Sequence, residues 1–200
     1  MTDSQHSIQQ VSDLFQFFHS ELTSAFEQLG LNTSEETETY LIHLLEGYVR
    51  LDSTSAREIG FHRPAAFMLG DALQSGGDRR IEAYRRLGDA SLFSCGFFEE
   101  HLNRSRSLVQ SNYYRSMGRN AYSSLQNLMA FKAPGGVFHT IFDELARKFD
   151  QVVEAFRVLA RGDDLATGTV LLQRWQEGES LSAADWNRLG LLPSKKRGDA

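Results

Sequence analysis

Arginines and tyrosines between positions 79 and 122 form a pattern that could bind an anionic aromatic ligand. Arg115 directly follows Tyr113 and Tyr114, and Arg119 lies one helical turn further along the chain. Guanidinium groups bind phosphates and carboxylates through paired donors, and phenol rings offer stacking surfaces. The pattern therefore favours a nucleotide-like ligand or an acidic protein segment. The competing interpretation is ordinary pairing of the arginines with neighbouring acids on helix surfaces. Those acids are Glu82, Asp89, Glu99 and Glu100.

Three glycines lie in the same region, at Gly88, Gly96 and Gly118. Glycine inside a helix costs about 1 kcal/mol relative to alanine, so it indicates close helix packing or space for a large neighbour. We predict close packing at these positions. The alternative is a cavity between the fourth and fifth helices that holds an aromatic or anionic ligand, nucleotide-like or a tetrapyrrole. The residues predicted to bind such a ligand are Phe97, Phe98, Tyr113, Tyr114, Arg115, Arg119 and Tyr122.

The sequence predicts no catalytic set and no metal site. Di-metal sites in helical bundles need two Glu-x-x-His pairs, and this spacing does not occur in the chain. Cys95 lies mid-helix without an activating base, which is typical of an inert buried thiol. A single histidine could ligate haem, but a structural histidine is the more frequent case. The weaker enzymatic hypothesis uses Glu99, Glu100 or His101 as an acid or base.

The elements that would position these residues are helical. Apolar residues recur with the helical period almost throughout, predicting main helices near 7–29, 34–51, 64–75, 78–103, 107–131 and 137–160. Gly30 is placed to cap the first helix, and Thr33 with Glu36 resembles a capping box for the second. The fourth helix is apolar around much of its circumference and should be central. The sixth carries the stripe Phe138, Ile141, Phe142, Leu145, Phe149, Val152, Phe156 and Leu159.

We therefore predict an all-α fold, a bundle of about six main helices followed by two short ones. The bundle should span residues 1–162, and the short C-terminal helices should pack on it within 163–193. Residues 194–200 are charged and should be disordered.

Composition narrows the class of protein. The chain has 200 residues, 41% of them hydrophobic, and one cysteine, which excludes an internal disulfide and favours a reducing, cytoplasmic location. No apolar run approaches the roughly 20 residues of a membrane span, and the first ten residues do not resemble a signal peptide.

Charge is unevenly distributed along the chain. The net charge is −8 over residues 1–60, +4 over 61–132 and −1 over 133–200, which sums to −5. An acidic chain without a basic stripe disfavours nucleic acid as a partner.

Three segments resemble a bacterial all-helical family with no assigned activity. They are LGDASLFSCGFFEEHL, NYYRSMGRNAY and LLQRWQEGESLSAADWNRLGLLP. The resemblance implies no cofactor and no catalytic residue. The positions that it marks for attention are Gly88, Asp89, Phe97, Phe98, Tyr113, Tyr114, Gly118 and Tyr122.

The functional prediction is a non-enzymatic interaction or regulatory module that binds another protein or a second copy of itself. It depends on the bundle architecture, the uneven charge and the lack of a catalytic set. The alternative is the small-molecule binder described above, with its ligand between the fourth and fifth helices. The sequence leaves the cofactor undetermined.

Overall fold

The computed structural model describes residues 3–49, 64–98 and 111–161. Seven helices and no strand occupy these ranges, which confirms the predicted all-α bundle. In chain order the helices are α1 (Asp3–Leu29), α2 (Glu35–Val49), α3 (Ala65–Gln74), α4 (Gly77–Phe97), α5 (Ser111–Lys132), α6 (Val137–Arg147) and α7 (Phe149–Arg161). The two short helices predicted within 163–193 lie outside the described residues. None of the helices within the described ranges is long and apolar enough to cross a membrane.

The end of α1 follows from one glycine. Gly30 adopts φ +61°, a left-handed conformation that an L-residue with a side chain rarely adopts. The Leu31 N–H donates to the Phe26 carbonyl at 2.9 Å, and the Gly30 N–H donates to Glu27 at 3.2 Å. These two bonds form a Schellman cap, so the predicted helix end is confirmed.

The start of α2 differs from the predicted capping box. Ser34, not Thr33, is the cap residue, and its Oγ accepts the Thr37 N–H at 3.3 Å. The Glu144 carboxylate on α6 accepts both the N–H and the Oγ–H of Ser34, each at 2.9 Å. Burial alone would raise the pKa of Glu144, but hydrogen bonds from Ser34, Thr37 and Lys148 lower it to about 2. A carboxylate distant in sequence therefore caps α2 and ties it to α6.

The predicted sixth helix is divided at Lys148 into α6 and α7. Lys148 has φ −103° and ψ 15°, outside regular helical geometry, while its N–H still donates to the Glu144 carbonyl at 2.8 Å. Its Nζ reaches the Asn32 carbonyl at 2.6 Å. This bend directs α6 against α5 and α2, whereas α7 packs against α4 and α1.

Helix α4 is central, as its apolar circumference predicts. It packs against α3, α5 and α7, and Leu87, Leu92 and Cys95 on it are fully buried. Helix α5 runs antiparallel to it, because successive contacts pair Gly88 with Tyr122 and then Ser91 with Gly118. Gly88 and Gly118 therefore lie where α4 meets α5, whereas Gly96 faces Phe156 of α7.

Candidate functional site

Aromatic rings pack against the three glycines that α4 and α5 carry in their interiors. A Cβ added to Gly88 would lie 2.7 Å from the Tyr122 ring. At Gly96 it would lie 2.4 Å from Phe156 Cβ, and at Gly118 it would lie 2.3 Å from Phe149 Cζ. Real Cβ atoms do not approach other atoms so closely, so a larger residue at any of these positions would have to displace the neighbouring ring. Two of the three rings, Phe149 and Phe156, belong to α7.

Most of the aromatic residues predicted to bind a ligand are buried in the core. Phe97 and Phe98 are buried, and the Phe97 ring stacks on Phe93 with centroids 4.5 Å apart. Tyr122 is fully buried within the core. Tyr113 and Tyr114 are partly buried and make an edge-to-face contact at 5.8 Å. The phenylalanines and Tyr122 therefore contribute to packing of the described core.

The two predicted ligand-binding arginines pair with acids on α7. Arg115 reaches Asp150 Oδ1 at 3.2 Å and Glu154 Oε1 at 3.3 Å. Arg119 reaches Asp150 Oδ2 at 2.6 Å. Neither acid was among the four named from the sequence, because both lie more than thirty residues along the chain. The guanidinium groups join α5 to α7 across the surface.

The arginines of α4 also have intramolecular partners. Arg85 and Arg86 share the Glu82 carboxylate, as helix spacing predicts. Although burial opposes it, the hydrogen bonds from these two arginines hold the pKa of Glu82 below its ordinary value. Arg80 donates to the carbonyls of Ser75 and Leu73 at 2.8 and 3.1 Å, which caps the end of α3. Arg104 and Arg106, which follow α4 in the sequence and belong to the same run of arginines, lie outside the described residues.

A buried carboxylate on α4 forms the most distinctive polar junction. Oδ1 of Asp89 accepts the hydroxyl of Tyr40 from α2 at 2.6 Å and that of Tyr122 from α5 at 2.8 Å. Oδ2 lies 3.9 Å from Arg85, and the side chain is only 14% exposed. One acid thus joins three helices.

The protonation of this junction is set by burial. Desolvation raises the pKa of Asp89 to about 6, although the Tyr40 hydrogen bond, the Arg85 charge and the Tyr122 hydrogen bond each lower it. Burial and the Asp89 charge raise the pKa of both tyrosines well above their usual value. The phenols are therefore hydrogen-bond donors over the whole neutral range, while the carboxyl changes charge just below it.

Cysteine and histidine form no metal cluster within the described parts of the chain, where no group of three or more potential ligands comes together. Cys95 is buried, with its Sγ 3.8 Å from the Ser111 carbonyl. His43 contacts Glu46 at 2.9 Å. Glu99, Glu100 and His101, the candidates for acid or base chemistry, lie outside the described residues.

One end of the bundle exposes apolar side chains. We call this surface the apolar end; it comprises Leu73 at the α3–α4 turn and Phe131, Val137 and Phe138 around the α5–α6 turn. Phe131 is 90% exposed and Phe138 is 57% exposed. An ion pair between Lys132 and Asp78 joins the two turns. Phe138 belongs to the apolar stripe predicted for the sixth helix, but more than half of its side chain is exposed.

The sequence did not identify Tyr40, Asp150 or Phe131. Phe131 stands two residues before Ala133-Pro134-Gly135-Gly136, a helix-breaking turn, so a signal existed for an apolar residue at a bundle end. Tyr40 and Asp150 carry no local signal, because their partners come from other helices.

Comparisons of the chain with models of known protein families, with curated proteins and with solved structures find no match.

Proposed function

We propose that this protein is a non-enzymatic helical interaction module that binds another protein chain through its apolar end. The observation that carries the proposal is the exposure of Phe131, Val137 and Phe138 together beside a turn. Exposed apolar residues that cluster in the fold mark interaction sites, whereas scattered ones do not.

The apolar end has the features of a binding anchor. The Phe138 ring stacks on buried Phe142 with centroids 6.1 Å apart, so the core restrains its orientation. The α5–α6 turn is closed by the Gly136 N–H, which donates to the Ala133 carbonyl at 3.1 Å. A surface that is ordered before binding loses less conformational freedom when a partner arrives. Aromatic anchors are also the residues that contribute most to protein interfaces.

The small-molecule alternative has less support. The rings of Phe149 and Phe156 occupy the space at Gly118 and Gly96 where its ligand was expected. Arg115 and Arg119, which were to hold the ligand's acid group, are already bound to Asp150. The cytoplasmic location stays a prediction that depends on the single cysteine.

The test is site-specific photocrosslinking in cells that express the full chain. A photoreactive phenylalanine analogue replaces Phe131 in one variant and Phe67 in a control. Phe67 is 61% exposed on α3 but is not part of the apolar end. We expect a discrete protein adduct from position 131, identified by mass spectrometry, that position 67 does not give. Equal labelling at both positions, or no adduct at position 131, would refute the proposal.

A further inference from the structure

A groove lies where α1 ends and α2 begins, and we call it the α1–α2 groove. Its volume is about 320 Å³. Phe26 and Leu31, both buried in the core, supply the apolar part of its lining. Each helix adds one carboxylate, Glu27 from α1 and Glu38 from α2. The groove shares no residue with the apolar end, so a ligand here makes a contact separate from the proposed one.

The charge around the groove is negative. Glu38 accepts the Thr33 hydroxyl at 3.3 Å, and neither Glu38 nor Glu27 has a cationic partner among the described residues. Residues 3–49 contain eight acids and no lysine or arginine. The last turn of α1, where the helix dipole is negative, also carries no basic residue. A cation is therefore the ligand that this groove favours.

One cation of the chain reaches the edge of the groove, and its charge is already balanced. Lys148 Nζ donates to the carbonyl of Asn32, which lines the groove, at 2.6 Å and to Glu144 at 3.0 Å. The Glu144 carboxylate neutralises this ammonium. Glu35 and Glu36, exposed in the first turn of α2, add two further negative charges. The negative surface therefore continues from the groove along the start of α2.

We infer that the α1–α2 groove binds a basic segment of a partner protein, with one arginine or lysine side chain inserted beside Glu27 and Glu38. These side chains pack their apolar stems on apolar surface and keep the charged group at its polar edge. Phe26 and Leu31 provide such a surface next to the two carboxylates. The acids at the start of α2 are complementary to further cations of the same segment. Open space beside Gly30 leaves room for the backbone of the segment.

The first experiment is an NMR titration of the full, nitrogen-15-labelled chain at low salt with a blocked hexapeptide of alternating arginine and alanine. We expect saturable shifts of the amides that line the groove. Glu27→Gln combined with Glu38→Gln should raise the dissociation constant about tenfold, because two partly exposed ion pairs are lost. The matched control combines Glu21→Gln with Asp78→Asn. It removes the same charge outside the groove, so it should change the dissociation constant less than about twofold.

The second experiment tests the shape of the groove at constant charge. Thr23 lines the groove, so Thr23→Phe fills it with a ring and should weaken peptide binding about tenfold or more. Ser24→Phe is the control, because Ser24 is the next residue on α1, is exposed and does not line the groove. It should leave binding unchanged. Far-UV circular dichroism verifies that both variants keep their helix content.

A third titration separates a protein segment from a small cation. Spermine carries several positive charges but has no peptide backbone to bond with the exposed Asn32 amide and the Thr33 hydroxyl. It should bind about tenfold more weakly than the peptide, since those hydrogen bonds are absent. Equal binding of spermine would overturn the protein segment as the occupant.

Saturable shifts at the groove that both the double glutamine variant and Thr23→Phe weaken, and that both controls keep, support the inference. No binding of the peptide, shifts scattered over the acidic surface, or equal weakening in the two double variants would overturn it. Binding that Thr23→Phe leaves intact would also overturn it. Photocrosslinking at position 131 tests the apolar end independently, so either result can fail alone.

Discussion

Replacing Asp89 by asparagine should remove a specific pH dependence from the stability of this protein. The substitution keeps the size of the side chain and an oxygen that accepts the Tyr40 and Tyr122 hydroxyls. It removes a carboxyl whose pKa burial raises from 3.8 to about 6. Between these two values the folded chain holds a proton that the unfolded chain has released. The stabilising contribution of this proton is complete below about pH 4 and is lost as the pH rises through about 6.

The magnitude follows from the pKa difference. One pKa unit corresponds to about 1.4 kcal/mol, so a change from 3.8 to about 6 is worth about 3 kcal/mol. The side chain is 14% exposed, so solvent screening reduces this value little. We expect the free energy of unfolding of the wild type, minus that of Asp89→Asn, to fall by about 3 kcal/mol between about pH 4 and about pH 7.

Urea denaturation followed by circular dichroism at a series of pH values measures this difference. Subtracting the two curves cancels every titration that the proteins share, including that of Glu144. Glu27→Gln on α1 is the control, because this exposed carboxylate is hydrated in both the folded and the unfolded chain. A difference curve for Asp89→Asn that is flat, or that increases with pH, would show that the carboxyl is not desolvated as the structure indicates.

A second variant tests the hydrogen bonds at the same junction. Tyr40→Phe keeps the ring, which contacts Phe142 edge-to-face at 5.8 Å, and deletes only the hydroxyl. That hydroxyl donates to Asp89 and lowers the carboxyl's pKa. The pKa of Asp89, followed by the carbon-13 shift of its carboxyl, should therefore rise above its wild-type value. A lower pKa in the variant would contradict the assigned donor.

Three further predictions concern packing and capping. Gly118→Ala should destabilise the fold by about 1–3 kcal/mol, because the added Cβ overpacks against Phe149. Gly47→Ala is the control and should stabilise the fold by about 0.5–1 kcal/mol, because no atom lies near its added Cβ. Urea unfolding measures both changes in the free energy of unfolding, and changes of the same sign would contradict the packing argument. Ser91→Ala should stabilise the fold by about 1 kcal/mol in the same assay, because the buried Ser91 Oγ has no hydrogen-bond partner among the described residues. A loss of stability would show that this hydroxyl does have a hydrogen-bond partner. Glu144→Gln should lower the free energy of unfolding by about 2–3 kcal/mol near neutral pH, because the folded chain stabilises the charged carboxylate, as its lowered pKa indicates. The loss should shrink as the pH falls from about 4.5 towards 2, where the wild-type carboxylate becomes protonated. A loss that is constant with pH would refute the charged cap.

Local rules explain how much of the fold the sequence predicted. Helix periodicity and capping depend on residues within one or two turns, so the end of α1 at Gly30 could be predicted directly. The need for glycine at Gly88 and Gly118 was also visible, since glycine in a helix interior requires a reason. The boundary within the sixth helix was missed, because Lys148 has normal helix propensity. Its bend accompanies contacts with Asn32 and Glu144 that only the folded chain provides.

The sequence alone determined that this chain forms amphipathic helices, that α4 is buried on most sides, and where small residues permit close approach. Tertiary structure decided which residues meet. It placed Asp150 beside Arg115 and Arg119, brought Tyr40 and Tyr122 onto Asp89, and buried Phe97 and Phe98. It also left Phe131 exposed at the end of α5. The physical reason is that a helical period specifies an apolar face, while the relative length and direction of the packed helices decide what covers that face and what stays uncovered.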